Sequence, residues 1–143
     1  MKIFCIHGNF QTAKVWQPLE ERMKAVFSDL EVVAEDLYAK QFQSFNDWTE
    51  DFCGRVEVQA NGEKSIFLGY SLGGRLALHA CVHRPDLWQA VVVAGADPGL
   101  ESEHQKSLQL DRDRNWAERL KSEPLEKLAD EWDKQPVFCG LKN

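Results

Sequence analysis

Hydrophobic positions fall into two rhythms along the first two thirds of the chain. Residues 2–6, 31–35, 64–68 and 90–94 are short runs dominated by Ile, Val, Phe or Leu. Their apolar residues are nearly continuous, which marks strands covered on both faces, as in a parallel sheet. Between them the spacing is helical. Pro18 suits the first turn of a helix running to about Phe27, where a missing N–H costs nothing. Ser44 caps the next predicted helix, in which Phe45, Trp48, Phe52 and Val56 form one stripe. A third, over 73–83, carries Leu76, Ala77, Leu78, Ala80, Cys81 and Val82 almost all round, and Pro85 limits it. Such an apolar helix is expected to be packed inside. The order βαβαβαβ, joined by right-handed crossovers, gives an open α/β sheet with helices on both faces.

Beyond Ala94 the character changes, and residues 100–134 are charged and strand-free. Leu125, Leu128, Ala129 and Trp132 sit at i, i+3, i+4 and i+7, an amphipathic helix beginning at Pro124. Before it, Leu108, Trp116, Ala117 and Leu120 form a weaker stripe over 101–121. Two helices with no strand after them predict a cap or lid. The expected division is therefore a sheet core over 1–97 and a helical lid segment over 98–143.

The chain has 143 residues, one domain's worth, with 43% hydrophobic and 28% charged residues, an ordinary globular mixture. Its 17 Lys+Arg against 23 Asp+Glu leave a net charge of −6, which offers no footing for a general nucleic-acid binder. No apolar run is long enough to span a membrane. The apolar start ahead of His7-Gly8 is too short for a signal-peptide core, so a cytoplasmic location is expected. Cysteines 5, 53, 81 and 139 show no C-x-x-C spacing and read as buried free thiols. No spacing implies a metal or an organic cofactor. An unfinished sheet would expose a strand edge, so self-association is expected, while the oligomeric state stays open.

One motif carries chemistry. Gly69-Tyr70-Ser71-Leu72-Gly73 is G-x-S-x-G, placed after an apolar strand and before an apolar helix. That is the setting of a nucleophile elbow, where glycines let strand and helix approach closely and the serine projects at the helix N-terminus. The second signal is His7-Gly8, directly after the first strand. In α/β-hydrolases this strand-end loop supplies one oxyanion-hole amide and the residue after the serine supplies the other. Here those amides belong to Asn9 and Leu72. His7 itself reads as a structural hydrogen-bonder, since the motif uses its neighbour's backbone.

Taken together, several segments resemble one family. Gly69 to Gly73 continuing into Gly74-Arg75, Asp97-Pro98-Gly99-Leu100, Asp113-Arg114-Asn115-Trp116, Glu123-Pro124-Leu125 and Trp132-x-x-Gln135-Pro136-Val137-Phe138 occur in the order seen in 2-succinyl-6-hydroxy-2,4-cyclohexadiene-1-carboxylate synthases. These are menaquinone-pathway lyases on the α/β-hydrolase fold. The resemblance implies that fold, a mostly parallel sheet with a helical lid, with its C-terminal part absent from these residues. It implies elimination of pyruvate from a small-molecule polycarboxylate, with Ser71 as the base, activated by a histidine not present in this chain. Arg75 matches an arginine that holds a substrate carboxylate, and Tyr70 and Trp132 match aromatic residues lining the pocket. Lys106, Arg112, Arg114 or Arg119 would supply further local positive charge for a polyanion.

The sequence departs from that pattern in three places. Asn9 stands where the family usually has phenylalanine. Tyr38-Ala39-Lys40 replaces a Pro-Gly-His-Gly loop within the weakly matching stretch 36–45, and Gln109 aligns with a substrate-binding arginine. Asp97, just after the fourth strand, is a candidate triad acid, with a loop-start or N-cap role as the alternative. His79 and His83 lie about 12 and 18 Å along the serine's own helix, and His104 begins the lid, so none stands as its base. Two other functions stay open on this sequence: a carboxylester hydrolase with Ser71 as nucleophile, and a catalytically inactive binding domain.

Overall fold

A computed structural model describes residues 1–138, so Cys139 lies outside the described residues. The chain divides into two compact units, Met1–Pro98 and a second beginning at Gly99.

In the first unit, strands β1 (Lys2–Ile6), β2 (Glu31–Glu35), β3 (Ser65–Tyr70) and β4 (Trp88–Ala94) form one parallel sheet in the order β2-β1-β3-β4. Helices α1 (Gln17–Val26), α2 (Phe45–Ala60) and α3 (Leu72–His83) connect them. Alternation along the central strands sorts the core into two layers. Ile3 and Cys5 pack with Leu30 and Val32 beneath Trp16, Leu19 and Met23 of the α1 side. Phe4 and Ile6 point the other way, with Phe67, into the cluster built by α2 and α3. Phe52 of α2 centres that cluster. Its ring stacks on Trp48 at 4.6 Å and lies 5.0 Å from Phe67, 5.9 Å from Phe4 and 6.1 Å from Trp88. The predicted stripe of α2 is the buried one, and the Ser44 hydroxyl caps the helix by accepting from the Asp47 amide at 3.1 Å.

The structure corrects the sequence reading in detail. β3 begins one residue later than expected and runs on to Tyr70, while β4 begins two residues earlier, at Trp88. β4 is not covered on both faces: Ala90, Val92 and Ala94 are exposed, Val92 by 49%. It is one of the two edge strands, so fewer elements pack against it than against β1. Nor is α3 buried all round. Gly73, Gly74, Leu76, Ala77 and Ala80 are inside, but Val82 is 85% exposed. Only the face turned to the sheet is covered, and an apolar composition could not show which face that is. Of the thiols, Cys5 and Cys53 are buried and Cys81 is half-buried. Burial pushes the Cys5 thiol up to about 12 and Cys53 up to about 11.

The described residues of the second unit form two α-helices, α4 (Glu103–Ser122) and α5 (Leu125–Asp133), followed by a short 3-10 turn over Pro136–Phe138. A reciprocal capping box of Ser102 and Gln105 starts α4. Trp116 and Trp132 meet edge to face at 5.2 Å, and Arg119 lies over Trp116 while pairing with Glu123 and Glu131 at 2.5 and 2.6 Å. α5 carries the fully buried Leu128. No helix among the described residues is long and apolar enough to cross a membrane.

Candidate active site

The turn between β3 and α3 holds Ser71 at φ 53°, ψ −116°, a conformation that costs an L-residue about 1–3 kcal/mol. The flanking glycines explain why the turn can close. A Cβ on Gly69 would stand 2.3 Å from the Gly73 carbonyl oxygen, and one on Gly73 would stand 2.2 Å from that of Ile6. The helix therefore starts in backbone contact with both β3 and the end of β1. A Cβ on Gly8 would lie 2.9 Å from Ser71 Cβ, so the loop after β1 runs beside the serine.

An account of backbone donors around Ser71 follows from the requirement that buried amides find partners. Ser71 N–H donates to Ala94 O at 2.8 Å and Gly73 N–H to His7 O at 3.2 Å. Gly8 N–H donates to Gln11 Oε1 at 3.0 Å, and Phe10 N–H to the Tyr38 hydroxyl at 3.2 Å. The amides of Asn9 and Leu72 are left without a protein partner among the described residues. Leu72 is the first residue of α3, where helix geometry leaves the N–H orphaned and the dipole favours negative charge. One unsatisfied donor thus adjoins the strained serine at Leu72, and another lies at Asn9 in the loop after β1.

His7 is fully buried, and its ring is spoken for on both sides. Leu37 N–H donates to Nε2 at 3.0 Å, and Nδ1 lies 2.7 Å from Gly8 O. An amide can only donate and a carbonyl can only accept, so the ring is neutral with its proton on Nδ1. Asp36 Oδ1 lies 3.3 Å from Nε2, but an ion pair there would need a proton where the Leu37 N–H already points. Asp36 instead accepts from the Tyr38 amide at 2.9 Å, the main cause holding its carboxyl below the usual range. His7 has no free lone pair to serve Ser71 as a base.

An open cleft of about 620 Å³ runs past Leu72, walled by Leu37, Tyr38, Phe42, Phe45 and Trp48. Arg75, one turn along α3 from Ser71, is exposed and lies 5.4 Å over the Phe45 ring, with no carboxylate paired to it among the described residues. Tyr70 ends β3, its ring against the backbone of Gly8 and Gly95. Tyr38 is 58% exposed at the cleft, and desolvation of its hydroxyl raises its pKa.

His79 hydrogen-bonds Thr49 of α2 at 3.1 Å and faces Phe45. His83 and His104 are exposed. Asp97 is exposed in the loop after β4, one residue beyond Ala96, whose Cβ would meet a Cβ on Gly74 at 2.7 Å. In the second unit Trp132 packs with Trp116 and Phe138, and Gln109 donates to Asp113 at 2.7 Å. Lys106, Arg114 and Arg119 each pair with a carboxylate of their own unit, so much of the positive charge expected there is neutralised locally. Gln11, Leu37 and Tyr38 escaped the sequence reading as site residues. Gln11 and Tyr38 accept from loop amides and Leu37 donates its own amide to the His7 ring, and only the departure at 38–40 hinted at any of them.

Parallel strands in this order, a strained serine between β3 and α3 and an apolar cleft beside it define the N-terminal part of an α/β-hydrolase fold. The solved structure described as MenH from S. aureus superposes with a TM-score of 0.81 at 18% identity, over 97% of this chain and 54% of that one. A marine microorganism esterase gives 0.66 at 21% identity, over 86% and 47%. The chain is similar in sequence to curated 2-succinyl-6-hydroxy-2,4-cyclohexadiene-1-carboxylate synthases. It is 39% identical over 99 residues to that of Serratia proteamaculans (strain 568), covering 68% of this chain and 38% of the relative. It is 44% identical over 86 residues to that of Yersinia pestis (strain Pestoides F), covering 59% and 32%. The matched stretches thus span well under half the length of these relatives. No protein-family model matches it.

Proposed function

We propose that the chain carries the serine-bearing part of a lyase of this kind, a carbon–oxygen lyase that releases pyruvate to form 2-succinyl-6-hydroxy-2,4-cyclohexadiene-1-carboxylate in menaquinone biosynthesis in the cytoplasm. The carrying observation is Ser71 at φ 53° with the unpartnered amide of Leu72 next to it and the loop after β1 running alongside. Ser71, activated by a histidine that is none of the four in this sequence, takes a proton from the substrate. The electron pair left behind forms the new double bond as the carbon–oxygen bond to the departing pyruvate unit breaks. The two amides hold the negative charge that develops, where preorganised donors contribute most. Arg75, unpaired at the cleft, grips a carboxylate of the polyanionic substrate with its planar fork. Tyr70 lines the pocket.

Release of pyruvate by the protein as expressed from its own gene, followed with a coupled dehydrogenase, tests this reading. Ser71→Ala abolishes release while leaving the fold intact. A burst of acylation from a simple aryl ester with no pyruvate release would assign the site to ester hydrolysis. Tight dicarboxylate binding without turnover of either substrate would assign it to binding alone.

A further inference from the structure

We propose that Tyr38 is a substrate-binding residue, whose hydroxyl donates to a carboxylate oxygen of the ligand in the cleft that runs past Leu72. Tyr38 walls that cleft together with Phe42, Phe45, Trp48 and Leu72. Its hydroxyl accepts from the Phe10 N–H at 3.2 Å, and Gly8 of the same loop stands against Ser71. The side chain thus reaches from the cleft wall to the loop that passes the serine. A phenol oxygen can accept and donate at once. The Phe10 amide uses only an acceptor site, and the hydroxyl proton has no acceptor among the described residues. Desolvation, with the Asp36 charge adding to it, raises the pKa of the phenol, so that proton stays in place at neutral pH.

The turn that carries Tyr38 is held on both sides. Tyr38 N–H donates to Asp36 Oδ1 at 2.9 Å, Ala39 N–H donates to Asp36 O at 3.2 Å, and Lys40 pairs with Asp51 of α2. The Tyr38 ring lies 5.5 Å from the buried His7 ring. Little freedom is left to lose when a ligand arrives. Elsewhere on the wall Phe42, Phe45 and Leu72 are apolar and Lys40 is already paired, so a fixed donor decides which end of a ligand faces it. An anionic oxygen gains most from such a donor. Arg75, over the Phe45 ring, supplies the charge that Tyr38 lacks. Tyr38 opens the stretch that departs from Pro-Gly-His-Gly, so this hydroxyl is particular to the present chain.

This inference rests on the polycarboxylate reading of the site, but its first test needs no turnover. In protein isotopically labelled at tyrosine Cζ, the resonance lost in Tyr38→Phe is that of Tyr38. Succinate should move that resonance saturably, and succinamide, its uncharged counterpart, should leave it in place at the same concentrations. No movement with succinate, or equal movement with both, would overturn the proposal. In the pyruvate-release assay Tyr38→Phe should raise KM by roughly 5- to 30-fold with kcat within about twofold, less than a buried charge-assisted bond because Tyr38 is 58% exposed. A fall in kcat at unchanged KM would reduce Tyr38 to a tie for the 8–10 loop and sink the idea, as would unchanged kinetics. Should Tyr38→Phe lose its dispersed spectrum, the succinate titration of the wild type, its Tyr38 signal assigned through the ring protons, decides alone. A wild-type protein in which succinate moves Tyr38 but no pyruvate is released would defeat the lyase reading and leave Tyr38 standing as an anion contact.

Discussion

The Ser71 amide donates to the carbonyl of Ala94 at 2.8 Å, joining the strained turn between β3 and α3 to the last residue of the edge strand β4. That bond, with the Gly73-to-His7 bond on the other side, holds the serine at φ 53° against its own preference. Glycine accepts this conformation without the Cβ clash. Ser71→Gly is therefore expected to raise stability by about 1 kcal/mol while removing all activity. An unchanged or lowered urea midpoint would show that the turn is not strained.

Glycines in the first unit separate by what surrounds them. A Cβ on Gly73 would lie 2.2 Å from the Ile6 carbonyl oxygen, and that backbone sits in the central strand and cannot yield. Gly73→Ala should cost about 3 kcal/mol or more and detach α3 from β1. Gly54, inside α2, has nothing within 4 Å of the same position. Gly54→Ala should stabilise by about 0.5–1 kcal/mol. Chemical denaturation of the two variants side by side checks both signs.

Alkaline pH should unfold the protein through its buried thiols. In the unfolded chain a cysteine ionises near 9.0, whereas burial holds Cys5 at about 12 and Cys53 at about 11. Above the lower value the unfolded state gives up protons that the folded state keeps, so stability falls as pH rises. The loss per thiol is about 1.4 kcal/mol for each pH step between those limits, and is complete once the folded thiols ionise. Denaturation midpoints at rising pH should show this slope, and Cys5→Ala should lessen it. A flat profile above pH 9 would refute it.

Arg75 has a cleft-side aromatic ring beneath it and no carboxylate paired to it among the described residues. In the proposed reaction Arg75→Ala should raise KM or lower kcat/KM by roughly 10- to 100-fold, the worth of one charge-assisted contact. Arg75→Lys should recover little of it, because an ammonium lacks the planar fork. Full activity in either variant would remove Arg75 from the site.

Short-range chemistry made much of this protein legible as sequence. Continuous apolar runs located all four strands, the stripe Phe45-Trp48-Phe52-Val56 located the buried face of α2, and the spacing of glycines about Ser71 located the elbow. Each of these depends on residues near one another along the chain, where periodicity and steric size act directly. Tertiary structure decided the rest. It set which face of α3 is covered, left β4 half-bare at the sheet edge, and chose the tautomer of His7 by bringing Leu37 to it across 30 residues. It also left Asn9 and Leu72 without a protein partner among the described residues, while Gln11, Tyr38, His7 and Ala94 accept from the amides of Gly8, Phe10, Gly73 and Ser71. Hydrogen-bond partners drawn from separate loops leave no periodic trace, since each needs only one donor and one acceptor that the fold happens to bring together.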